Sequence, residues 1–195
     1  MKFLLAVLAI ILTPVAALAH TGVSETSGVI HGFMHPLVGM DHVLAMVSVG
    51  LLAYTLGRRA LWMVPLAFVG MMAFGGLLGT ADVNIPFVEL GIGLSIIVIG
   101  MAAALGPRIP VAAAIALVGT FAIFHGVAHG AEMPIGISGL AYAAGFMLAT
   151  ALLHIAGIAA CFGCAKLIGN YGHLVARTGG ALAAILGVAI VGGAV

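Results

Sequence analysis

Histidine and carboxylate side chains gather at two places in an otherwise apolar chain. The first is His35-Pro36-Leu37-Val38-Gly39-Met40-Asp41-His42 and the second Phe124-His125-Gly126-Val127-Ala128-His129-Gly130-Ala131-Glu132. Imidazole nitrogens and carboxylate oxygens are metal-ligand types, and imidazole suits nickel, cobalt, zinc and copper alike. An Asp, Lys or Arg at the centre of a membrane helix costs roughly 2.5–3.5 kcal/mol on insertion scales, and imidazoles are costly there too, so a cluster of such groups inside lipid-compatible segments is a site by default. The pattern points to movement of a metal ion across a membrane.

Spacing sharpens this. At about 100° per residue, His31, His35 and His42 project from one stripe of a helix, with Asp41 about a quarter-turn away. Pro36 and Gly39 lie between them and predict a kinked or locally open helix with freed carbonyls. His125, His129 and Glu132 stand at i, i+4 and i+7, which aligns them on one helix face. A zinc-protease reading fails, because Gly126 occupies the position where that signature places its general base. The two clusters are expected to face each other across a helix interface, with Gly126 and Gly130 permitting the close approach.

Other candidates rank lower. Glu89 suits an interfacial or orienting role, and His154 a lower station on an ion path, while His173 reads as a solvated loop residue. Ten methionines are scattered in the manner of packing residues. Cys161-Phe162-Gly163-Cys164 has no second cysteine pair, and it reads as packing.

The elements that position these groups follow from composition. Apolar residues make up 64% of the 195 and charged residues 6%, and the mean hydropathy is +1.36. That leaves too little polar surface for a water-soluble globule but suits a bundle bathed in lipid. No stretch is basic enough to track phosphates, so nucleic acid is not a partner; the lipid bilayer and a divalent metal ion are. Residues 1–19 read as a signal peptide, with Lys2 at the positive end, a short apolar run, Pro14 and an Ala17-Leu18-Ala19 cleavage pattern. Cleavage makes His20 the new N-terminus, and its α-amine and imidazole form a chelating pair.

Beyond the leader, residues 20–195 form a single transmembrane domain of six spans, near 30–56, 60–79, 86–105, 110–131, 137–164 and 175–195. The fold class is all-α, a polytopic membrane protein. Arg58, Arg59, Arg108, Lys166 and Arg177 all fall on one side of these spans, which the positive-inside rule makes cytoplasmic. The expected location is the bacterial inner (cytoplasmic) membrane, multi-pass, with the mature N-terminus periplasmic. Gly75, Gly76, Gly79, Gly91 and Gly93 read as helix-packing surfaces.

Two other function classes use the same residues. A membrane haem protein needs one His from each of two facing helices and has no use for Asp41 or Glu132. A metal-dependent membrane hydrolase needs a separate acid or base, and no such constellation is present. Binding and transfer therefore outrank catalysis, and the chain reads as no enzyme. No P-loop occurs, so an ion gradient, the membrane potential or a partner supplies the energy. The residues specify neither a homo-oligomer nor a metallochaperone.

Both motifs resemble those of the HupE/UreJ family of membrane metal permeases, whose patterns are His-Pro-x-x-Gly-x-Asp-His and Phe-His-Gly-x-Ala-His-Gly-x-Glu. Every fixed position is matched here, and span number and order agree across the mature chain. The chain is also similar to larger nickel/cobalt transporters, in which the His and the Asp-His pair lie one residue closer together. The resemblance implies a secondary transporter or channel-like permease that imports nickel or cobalt for hydrogenase or urease. Ni2+ or Co2+ is then the transported substrate, with no prosthetic group. The motif residues carry over to His35, Asp41, His42, His125, His129 and Glu132, with His20, His31, Glu89 and His154 as an extended path.

Overall fold

The computed structural model describes residues 25–106, 109–133, 136, 138–169 and 171–193. The leader, His20 and Arg108 lie outside these. The described residues form seven helices: α1 (Glu25–Val38), α2 (Met40–Leu56), α3 (Ala60–Thr80), α4 (Val88–Leu105), α5 (Val111–Ala131), α6 (Gly139–Ile168) and α7 (Gly172–Val191). The last five are each long and apolar enough to cross a membrane, and α1 with α2 supplies a sixth span if the bent pair counts as one. The chain is an all-helical, polytopic membrane protein.

The expected first span is where expectation and structure part. Instead of one helix with a kink, α1 and α2 meet at 83°. The break falls at Gly39, whose backbone is extended at φ −77° and ψ 117°. Pro36 lies inside the last turn of α1, where its missing N–H removes a helical hydrogen bond and weakens continuation. A single stripe carrying His31, His35 and His42 therefore does not form, because helical phase is lost at Gly39. α1 also begins earlier than apolarity suggested, since Glu25 and Thr26 are polar yet helical.

Lipid tails are as apolar as the side chains, so helices here associate through close contact rather than hydrophobic expulsion. Glycine sets that contact. α3 and α5 run the same way with Gly75 and Gly79 seated on the backbone of Ile123 and Val127, while Gly126 and Gly130 sit on that of Met72 and Gly76. A Cβ at any of these would overlap a main-chain atom. Gly126 and Gly130 thus serve the α3 interface, and not the approach to the first span expected of them. α4 and α7 cross in opposite directions at Gly100 and Gly180, and α2 meets α6 at Gly50 and Gly157. Between these pairs lies a core that includes Met46, Leu52, Val64, Phe68 and Val118.

Among the described basic residues, Arg58 and Arg59 join α2 to α3, Lys166 ends α6, and Arg177 begins α7. Arg177 Nε donates to the carbonyl of Ala104 at the end of α4, 3.0 Å away. They share one end of the bundle, opposite Glu132.

Gly126→Val, which forces a side chain into the Met72 carbonyl, is expected to lower the unfolding temperature in detergent by roughly 10 °C. Gly70→Ala meets open space and should leave it unchanged. Thermal denaturation of both purified variants checks the pair.

Candidate metal site

Breaking the first span turns the start of α2 inward against α5. His42, in the first turn of α2, is buried, and its Nε2 meets His129 Nε2 of α5 at 2.5 Å across 87 residues of sequence. His42 Nδ1 lies 2.7 Å from Asp41 Oδ1. A carboxylate only accepts, so Nδ1 carries the proton and donates it. With the imidazoles neutral, the state in which they bind metal, His42 Nε2 is then a lone pair, and the hydrogen between the two rings belongs to His129. That leaves His129 Nδ1 as a lone pair, and it has no hydrogen-bond partner among the described residues.

His125 is fixed by a similar chain. Ser95 of α4 donates its hydroxyl hydrogen to the Ile92 carbonyl at 2.6 Å, so its oxygen accepts from His125 Nε2 at 2.9 Å. His125 Nδ1 is left as a buried, unpartnered lone pair. Asp41 and Ser95 thus orient rings and set tautomers, as partners behind metal-binding histidines do.

Two overlapping groups of ligand atoms result, each with its atoms within 4.8 Å of one another: His42, His125 and His129, all buried, and His35, His129 and Glu132, nearer the surface. His129 belongs to both. The His35 ring lies 4.8 Å from that of His129, and Phe146 of α6 packs on His129 with centroids 4.2 Å apart, tilted by 40°. Tyr142 stands one turn away, 6.1 Å from His35. An open groove of about 450 Å³ beside the break, lined by His31, Met34, His35, Asp41 and His42, reaches from the surface to His42 of the deeper group.

Helix ends supply further electrostatics. His35 and His129 lie in the last turns of α1 and α5, whose C-terminal ends carry partial negative charge that favours a cation nearby. The start of α2 opposes this with its positive end, and Asp41 in that first turn offsets it.

Of the sequence-derived candidates, His35, His42, His125, His129 and Glu132 are brought together as ligand groups. Asp41 is present as the hydrogen-bond partner of His42. His31 is exposed on the groove wall and Glu89 is exposed in the first turn of α4; both stand outside the two groups. Cys161 is free and packed in the core, and the exposed His173 lies against Tyr54 at 5.2 Å. Sequence reasoning missed Ser95, Phe68, Tyr142 and Phe146. Ser95 alone carried a signal, as the one hydroxyl in the apolar run of α4.

The fold and these groups define a multi-pass membrane protein with an interior cluster able to hold a divalent cation. The chain belongs to the HupE / UreJ protein family, which matches residues 8–190. It is 43% identical over 187 residues to Protein HupE of Rhizobium leguminosarum bv. viciae, covering 95% of each chain. No solved structure matches it.

A Cβ at Gly39 would come within 2.7 Å of Asp41 Oδ1 and 2.8 Å of His42 Nδ1. Gly39→Ala is therefore expected to part that pair without unfolding the bundle, since its φ suits any residue. Ser95→Ala removes the acceptor that holds His125. Each should weaken the binding of a divalent-metal probe about 10- to 100-fold, the usual effect of losing a partner behind a metal ligand. Calorimetric titration of the purified proteins with Ni2+ reads both.

Proposed function

We propose that this protein imports nickel or cobalt across the bacterial inner membrane, for delivery to hydrogenase or urease maturation. The observation that carries this is the sharing of His129 by two ligand groups at different depths. An ion held by His35, His129 and Glu132 can pass to His42 and His125 without ever losing all of its protein ligands. The four imidazoles and one carboxylate of the two groups suit a borderline divalent ion better than copper(I) or magnesium. Membership of the HupE/UreJ family, and the likeness to Protein HupE, support the same reading. So does the gathering of the described Arg and Lys residues at the end opposite Glu132, which supports a groove on the outer face and a periplasmic mature N-terminus.

The geometry speaks against haem. Axial nitrogens must stand on opposite faces of a macrocycle, and here the facing nitrogens of His42 and His129 are 2.5 Å apart. We read the protein as a transporter and not an enzyme. Its secondary or channel-like mechanism is powered by an ion gradient or the membrane potential.

Uptake of labelled nickel, with cobalt and zinc as competitors, tests the function in cells. Ala at His35, Asp41, His42 or His125 should abolish uptake, and Ala at His173 should not change it. Uptake at the unmodified rate by His42→Ala protein at equal expression overturns the reading. Protons compete with the ion for the same lone pairs. The half-saturating nickel concentration should therefore rise as the outer medium is acidified, with a smaller fall in maximal rate.

A further inference from the structure

His154 stands on α6 two turns beyond Phe146, about 12 Å further from the groove along that helix. It is fully buried, and neither of its ring nitrogens has a hydrogen-bond partner among the described residues. This sets it apart from the other buried histidines. His42 uses both nitrogens, and His125 and His129 each use one. A neutral imidazole carries one donor and one acceptor, and leaving both unmatched in an apolar interior is costly. A histidine kept only for packing is better replaced by Leu, whose volume is similar and which has nothing to satisfy.

Its surroundings connect it to the site above. The Phe68 ring of α3 packs edge-on to His154 with centroids 5.1 Å apart and an interplanar angle of 86°. The same ring lies 5.6 Å from the ring of His125, tilted by 56°. Phe68 is itself wholly buried. On the other flank, α2 approaches closely enough for Gly50 to sit on the His154 carbonyl.

We propose that His154 is a further cation-binding station, deeper than the two ligand groups and divided from them by the Phe68 ring. This rests on reading the chain as a divalent-cation transporter. A single imidazole holds an ion weakly. That suits a site which must receive an ion and then release it onward, because conduction requires that no station bind too tightly. His125 Nδ1 on one side of the ring and the His154 nitrogens on the other are successive donors, and Phe68 must turn aside for an ion to step between them.

The test uses the full chain, purified and reconstituted in vesicles, with nickel(II) as the probe. His154→Leu and His154→Gln are compared with the unmodified protein for equilibrium binding by calorimetry and for flux into vesicles loaded with a chelating dye. Binding is expected to stay within about twofold in both variants, since the His42, His125 and His129 group is intact, while flux falls about tenfold or more. His154→Leu should melt no lower than the unmodified protein, because it removes unmatched nitrogens and keeps the volume. Undiminished flux in both variants overturns the proposal. Loss of binding together with flux also overturns it, since His154 would then belong to the upper site. If the unmodified protein itself binds no nickel, the transport reading fails first and this inference with it.

Discussion

His42 and His129 touch nitrogen to nitrogen, and one proton is shared where two lone pairs would otherwise repel. That contact depends on Asp41 holding the proton of His42 on its other nitrogen, and it decides which face of His129 remains available. Neighbouring lone pairs on His125 and His129 are left unmatched in an interior without bulk water, each at a cost of about 1–3 kcal/mol. Such a cluster survives only if its helices cannot relax around it. The glycine contacts supply the rigidity: with Gly126 and Gly130 pressed on the backbone of α3, the helix carrying His125 and His129 has little freedom to rotate.

The 83° break at Gly39 is the second requirement. In an unbroken helix His35 and His42 would be seven residues, or about 10.5 Å, apart along the axis, too far to serve groups that share one ligand. In the bent arrangement their rings lie 6.1 Å apart, each within reach of His129. Breaking a helix inside a membrane exposes backbone polar groups, which is tolerated where they line a cavity instead of lipid. The groove beside Gly39 is such a place. Half-helix ends around an interior ion site are a recurrent solution in transporters, for the same electrostatic reason.

Much of this was legible from residue types alone. Apolar runs gave the later spans to within a few residues, because membrane thickness fixes helix length. The candidate ligands stood out because ionisable groups are so unwelcome in hydrocarbon. What escaped was pairing across helices. A helical-wheel reading puts His31, His35 and His42 on one stripe that Pro36 and Gly39 only kink, whereas the 83° break leaves His31 outside the two groups and carries His42 on a different helix. Gly126 and Gly130 announced a close approach without saying to which helix. Ser95, Phe68 and Phe146 are ordinary residues in apolar runs, and only three-dimensional proximity to an imidazole gives them roles. His154 stood out in sequence, but its lack of any partner is a fact of packing.

The connection at Gly39 makes α1 a lever with arms of very unequal reach. His35 lies four residues from the pivot, about 6 Å, and Glu25 fourteen residues away, about 21 Å. A rotation of about 20° there would carry the far end some 7 Å but His35 only about 2 Å. Two ångströms is nonetheless the length of a metal–nitrogen bond. Small angular changes at one glycine are therefore enough to make or break the outer group, while Asp41 and His42, on the far side of the pivot, keep their hold on the inner one.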